Sequence, residues 1–547
     1  MDASRQPSRE TGGAGAPTGV RSACAHPHGA QAGAVARRAV AVDAVDMASS
    51  RTRMEGYRTL RAELERAVLP LAGSLDGRTF TLQAPLGGLE IALGGYVMLE
   101  GDGPPVLGQV RWLERVVVEA GTVGLGADDG QDDLRARLAL RVAQGAGTVL
   151  DGAPGPFHDR LARPATPAEV SAATARSGGT STRIEVGTLA LAHGVPAVLD
   201  PAGFDRHTFL CGQSGSGKSY ALGLMLEQLV LHTGLRVVVL DPNSDFACFA
   251  QVRADAPPEA AARWHAVAGG IAVRSMDGGD AERLRLRLDE LTPELQGALL
   301  RLDPVVDREE YAELRALIAT ERPESVGELA ATARPEGRAL ALRVANLRTA
   351  ELDVWARGRA GTIADALEDE SIRCLAVDLG SLATREEQRL VAAAVLERLW
   401  DRRKRRSPVL LVIDEAHNVC PAEPEDPLTA LATATAVRIA GEGRKFGLHL
   451  LVATQRPVKV HENVSSQCDN LVLMRMNSRT DTATVRTLLG FAPPALVDLA
   501  TDFGLGEALV AGKIATHPAL IRFGSRISCE GGGDVAAHRA EGDGGRP

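Results

Sequence analysis

The residue types best suited to chemistry fall into a few short clusters. The first is Gly212-Gln213-Ser214-Gly215-Ser216-Gly217-Lys218-Ser219, which follows the apolar run Thr208–Cys211 and opens the helix-forming stretch Tyr220–Leu231. Glycines let a backbone wrap closely enough for its N–H groups to surround phosphates, and the helix start adds about half a positive charge. In that spacing Lys218 reaches the β- and γ-phosphates of ATP, and the Ser219 hydroxyl ligates Mg²⁺. The binding set therefore runs from Gly212 through Gln213, Ser214, Gly215, Ser216, Gly217, Lys218 and Ser219 to Tyr220 at the helix start. A chance glycine turn would lack both the strand before it and the helix after it.

The second cluster is Val409–Ile413 followed by Asp414, Glu415, Ala416 and His417. A pair of acids at a strand end is usually a solvated turn. Placed at the carboxyl edge of the sheet that carries the glycine loop, the pair has catalytic work to do. Asp414 holds Mg²⁺, and Glu415 polarises the attacking water as general base. A third element, Leu450–Pro457, puts Gln455 at a strand tip, where an amide can sense the γ-phosphate; a loop or capping amide is the bland alternative.

Arginines supply the remaining charge. Glu442–Gly447 precedes that strand, and Arg444 within it is the first candidate to reach a neighbouring subunit's ATP, ahead of Arg438, Lys445 and Arg479. Arg402–Arg406 closes the helical run Arg385–Arg403. A cationic helix end facing water explains it better than nucleic-acid binding does.

These groups need elements to position them. After Arg183 the apolar runs Thr208–Cys211, Arg236–Asp241, Cys374–Asp378, Val409–Ile413, His449–Thr454 and Leu471–Met476 read as strands buried on both faces, mostly separated by helices. That pattern predicts an α/β domain with a RecA-like parallel sheet over 188–253 and 372–529. The Leu/Ala/Glu/Arg-rich stretch 254–371 reads as a helical insertion, with helices over Ala281–Leu291, Leu295–Leu302, Glu309–Ala319, Ser325–Ala333 and Gly337–Ala350. Short runs broken by turns, among them Leu89–Leu93 and Val106–Leu113, predict a small β-barrel over 74–187, ending in a Pro/Ala/Gly-rich loop, Ala153–Gly179. A short helix precedes it at 51–73. Residues 1–50 and 530–547 have the composition of disordered tails.

Composition narrows the partners. The chain has 547 residues and a net charge of −9, which argues against a surface coated with nucleic acid but allows a local basic lining. Seven cysteines without a CxxC pair read as reduced thiols in a cytoplasmic protein. No window is apolar for the ~18 residues that a membrane span needs, so no membrane insertion is expected.

Taken in order, the glycine loop, Asp241-Pro-Asn-Ser-Asp245, LVIDEAHN, EGRKFGLHLLVATQRP and SQCDNLVLMRMNSRTD resemble the HerA ATPases. Asp245 stands where that family's turn carries a glutamate. The resemblance spans roughly Leu75–Phe523. It implies a barrel shared with rotary ATP synthases, a RecA-like motor, a homo-hexameric ring on double-stranded DNA, and a partner nuclease or other effector. Lys218, Ser219, Asp414, Glu415, Gln455 and Arg444 carry over; DNA-contacting positions do not. Two other readings stay open: a secretion- or conjugation-type ATPase, and a ring-shaped scaffold that organises an effector, as in phage defence.

Overall fold

Runs of β-branched and leucine side chains with no polar alternation can satisfy themselves only in a sheet covered on both faces. The computed structural model describes residues 50–87, 89–124, 135–151, 155–177, 183–332, 338–358 and 360–532. In it such runs become the centre of an eleven-stranded sheet. Its strands are β7 (Ile184–Leu189), β8 (Pro196–Leu199), β9 (His207–Cys211), β10 (Arg236–Asp241), β11 (Ile271–Arg274), β12 (Cys374–Asp378), β13 (Val409–Ile413), β14 (Leu448–Thr454), β15 (Cys468–Met474), β16 (Glu507–Gly512) and β17 (Ala519–Phe523). The order is β11-β12-β10-β13-β14-β9-β15-β16-β17-β7-β8. The strands from β11 to β15 in that order are parallel, and β16, β17, β7 and β8 extend the sheet antiparallel.

The six strands read from the sequence all form, within a few residues of the expected ends. The other five were not anticipated. β11 lies inside the stretch read as a helical insertion, yet it pairs in parallel with β12 at the sheet edge. The insertion proper therefore begins after it. There the expected helix Ala281–Leu291 is largely extended: only Leu288–Glu290 turns, as a short 3₁₀ segment. Arg283 bridges Ser275 and Leu286 bridges Trp355 instead. Helices Pro293–Leu299, Arg308–Glu321, Val326–Thr332 and Arg338–Leu347 do form.

Upstream, β1 (Leu71–Ser74), β2 (Thr79–Pro85), β3 (Tyr96–Glu100), β4 (Val106–Gly124), β5 (Arg135–Val149) and β6 (Phe157–Pro164) close into a barrel. Leu89–Leu93 is not a strand. The segment Ala153–Gly179, expected to be a loop, contains β6 and helix Pro167–Ser177 within its described residues. The missed signal is Thr166 and Glu169: the Thr166 hydroxyl accepts the Glu169 N–H at 3.3 Å, and the Glu169 carboxylate accepts the Thr166 N–H at 2.8 Å. That reciprocal cap starts a helix. The Tyr96 hydroxyl meets His517 at 3.0 Å, and Gln109 donates to the Pro518 carbonyl at 2.7 Å.

A separate unit takes in residues up to Val68, Pro85–Gly87 and Arg115–Val142. Its helix is Ser50–Arg66, ending well before the expected boundary because Leu71 already belongs to β1. Glu65 accepts the Arg141 N–H at 2.8 Å within this unit. The expected tails 1–49 and 533–547 lie outside the described residues.

Part of the basic run after helix Arg385–Asp401 is engaged locally: Arg402 and Arg405, with Arg398 of the helix itself, surround Glu368, and Arg403 stacks on Trp400. No helix among the described residues is long and apolar enough to cross a membrane.

Candidate nucleotide site

Parallel strands deliver their carboxyl ends to one edge, and the chemistry collects there. β9 runs into the glycine loop and then helix Lys218–His232, whose first turn presents free backbone N–H groups. Gly215 (φ +71°) and Gly217 (φ +90°) hold left-handed conformations that a side chain would strain. The loop is fixed from outside. Gly212 N–H donates to the Thr454 carbonyl, Gln213 N–H to the Arg475 carbonyl, Gly506 N–H to the Ser216 carbonyl, and the Arg475 guanidinium to the Gly215 carbonyl at 3.0 Å. Ser214 is exposed, whereas the Ser216 hydroxyl is buried without a hydrogen-bond partner among the described residues.

The two clusters meet. The Lys218 ammonium lies 2.6 Å from Asp414 Oδ1 and 3.2 Å from Glu415 Oε1. All three side chains are buried. Burial alone would lower the lysine pKa; the two carboxylates outweigh it and raise it. Burial alone would raise that of Glu415, but His417 and Lys218 hold it at about 2. Glu415 is therefore an ionised carboxylate at neutral pH, able to accept a proton. It sits in the left-handed region at φ +43°, a strained conformation for a glutamate. His417 Nδ1 lies 3.2 Å from Glu415 Oε2 and 3.1 Å from Thr454 Oγ1.

β10 contributes a second acid group. Asp241 accepts N–H bonds from Asn243, Asp245 and Phe246 at 3.2, 3.1 and 2.8 Å, folding the turn back on itself. That turn brings Asp245 close enough to Ser219 for the serine to favour its ionised form. Oxygens of Asp241, Asp245 and Asp414 lie within 4.8 Å of one another. Asp414 Oδ2 is buried with no hydrogen-bond partner among the described residues. Burial pushes the Asp241 carboxyl up to about 7 and raises that of Asp245. Hard oxygen donors, one of them orphaned, beside a serine hydroxyl are a set that fits Mg²⁺.

The other candidates sit as follows. Gln455 is half-buried at the tip of β14, with its backbone N–H 3.5 Å from Glu415 Oε2. The Tyr220 hydroxyl accepts from Arg253 at 2.9 Å and from the Arg526 N–H at 2.8 Å, so its polar end faces protein. Arg444 is not brought to this cluster. It precedes β14, at the amino edge of the sheet, and pairs with Asp469 at 2.8 Å. Arg438 pairs with Glu397 at 2.9 Å, and Lys445 and Arg479 are exposed. Sequence reasoning gave no role to His417, Thr454 or Arg475, and met Asp241 and Asp245 only inside a motif.

A glycine loop at a parallel-sheet edge, its lysine on two strand-end carboxylates, has the geometry of a P-loop nucleotide site. The model for the central domain of the helicase HerA matches residues 184–327. Over this stretch the chain is similar to HerA-type P-loop ATPases. It is 32% identical over 164 residues to the DNA double-strand break repair helicase HerA of Saccharolobus solfataricus, covering 28% of this chain and 32% of that protein. It is 34% identical over 116 residues to the HerA of Pyrococcus furiosus, covering 21% of this chain and 20% of that one. These matches thus span a third or less of the curated relatives. Among solved structures, VirB4 of Thermoanaerobacter pseudethanolicus aligns with a TM-score of 0.45 at 18% identity, over 64% of this chain and 97% of that one.

Proposed function

We propose that this protein hydrolyses ATP to move double-stranded DNA, acting as a homo-hexameric translocase or helicase that serves a nuclease or another effector. The observation that carries the reading is the convergence of Lys218, Asp414 and Glu415 at one sheet edge. Lys218 leaves the carboxylates for the β- and γ-phosphates when a triphosphate fills the loop. Glu415 accepts a proton from the attacking water, the water oxygen bonds to the γ-phosphorus, and ADP leaves with the electrons of the broken bond. Ser219 and Asp414 would hold Mg²⁺, with Asp245 and Asp241 beside them; when bound, the ion neutralises charge on the phosphate oxygens. Gln455 reports the state of the γ-phosphate, and Arg444 reaches a neighbour's nucleotide across the ring.

The DNA reading draws on relatives named as DNA double-strand break repair helicases. The closure of β1–β6 into a barrel supports this reading. The test is ATP hydrolysis by the size-verified hexamer with and without duplex DNA, with Lys218→Ala as the blank. Stimulation by DNA, weakening as salt rises, is the expected result because the contacts go mainly to phosphates. Hydrolysis indifferent to DNA would overturn the translocase reading and point to a protein stimulus.

A further inference from the structure

His417 has no role in the chemistry described so far, yet it is wedged between the general base and the tip of β14. Its ring is largely buried, 13% exposed, and Thr454 beneath it is fully buried. Two contacts converge on one ring nitrogen: Nδ1 lies 3.2 Å from Glu415 Oε2 and 3.1 Å from Thr454 Oγ1. The Thr454 hydroxyl also accepts the Arg456 N–H at 2.9 Å. A chain therefore runs from the Glu415 carboxylate through His417 to the residue immediately before Gln455.

Glu415 has two side-chain partners here, Lys218 on one oxygen and His417 on the other. They do not serve the same state. Lys218 is the group that a triphosphate draws away, because phosphate offers more negative charge than the carboxylates do. The polar contacts of the His417 ring among the described residues are with Glu415 and Thr454, outside the glycine loop and β10, so nucleotide binding need not displace it. Glu415 also sits on a strained left-handed backbone, which leaves its side chain dependent on external support.

We infer that His417 is a positioning residue that holds the Glu415 carboxylate in register with the tip of β14 once Lys218 has moved to the phosphates. The inference rests on the hydrolysis reading above. It assigns His417 no contact with the nucleotide, so rate and affinity should separate.

The test compares the full-length protein with His417→Ala and His417→Asn, the latter placing an amide N–H near the Nδ1 position. Single-turnover hydrolysis and the affinity for a fluorescent ATP analogue are measured on each, with Lys218→Ala as the blank. We expect His417→Ala to slow hydrolysis about ten- to hundred-fold with affinity within about twofold of the parent. His417→Asn should recover to within about threefold of the parent rate. A His417→Ala protein as fast as the parent overturns the inference. So does one that loses affinity in step with rate, or an asparagine variant no better than the alanine one. A parent no faster than the Lys218→Ala blank has a different signature: the hydrolysis reading itself fails and takes this one with it.

Discussion

Lys218 and Glu415 are neighbours in the site but carry separable duties. Lys218 balances two buried carboxylates and, in the proposed mechanism, binds phosphate, so Lys218→Ala should abolish measurable nucleotide binding and hydrolysis together. Removing the lysine also leaves Asp414 and Glu415 buried without their counter-charge. Glu415→Gln keeps the shape and loses only the proton acceptor. Hydrolysis should fall by about 10²–10⁴ while ATP affinity holds, read by single-turnover kinetics beside equilibrium binding. Equal loss of binding in both variants would show that Glu415 supports the loop and does not act on water.

At the scale of elements, helix Lys218–His232 is locked from behind as well as capped by the loop. Glu227, fully buried on it, accepts N–H bonds from Ile527 and Ser528, each at 2.8 Å, and faces the buried Arg526 at 3.3 Å. Arg526 in turn lies near the rings of Tyr220, Phe246 and Phe249. The lock needs Gly223, since a Cβ there would come within 2.3 Å of the Arg526 guanidinium carbon. Glu227→Ala should cost about 3–5 kcal/mol, because it strands a buried arginine. Gly223→Ala should cost about 1–3 kcal/mol through overpacking. Thermal unfolding reads both. The segment after β17 thus belongs to the nucleotide helix as firmly as the sheet does.

Across the whole molecule, His207 ties three parts of the core. It donates from Nε2 to the Ala440 carbonyl at 3.0 Å and accepts the Leu450 N–H on Nδ1 at 2.9 Å, joining β9, helix Pro427–Glu442 and β14. Burial pulls its pKa down to about 4, against the opposing pull of the Ala440 hydrogen bond. The folded state therefore prefers the neutral ring. Its contribution is fully present above about pH 6.5 and is lost as pH falls towards 4. Apparent Tm should decline over that window, and His207→Asn should lower Tm at pH 7 while flattening the decline. An unchanged slope would assign the acid sensitivity to other groups. Net charge of −9 also implies that any grip on DNA is local and salt-sensitive.

The sequence by itself determined the parts whose chemistry is written in contiguous residues. The glycine loop works through successive backbone N–H groups, and Asp414 and Glu415 end a strand whose apolar run marks it. Local order suffices for both, and the central strands follow from the same patterning. What only the tertiary structure decided depends on residues far apart in the chain. Arg475 clamps Gly215, and Glu227 captures Ile527 and Ser528, through register across β15, β9 and the final segment. The Asp241 turn brings Asp245 close to Ser219, and β6 closes the barrel from a stretch whose prolines and glycines read as loop. Arg444 marks the boundary between the two: its motif is legible, but the fold lays it at the amino edge of the sheet, paired with Asp469. Backbone chemistry is local and can be read along the chain, whereas side-chain partnership is set by packing, which no single stretch of sequence contains.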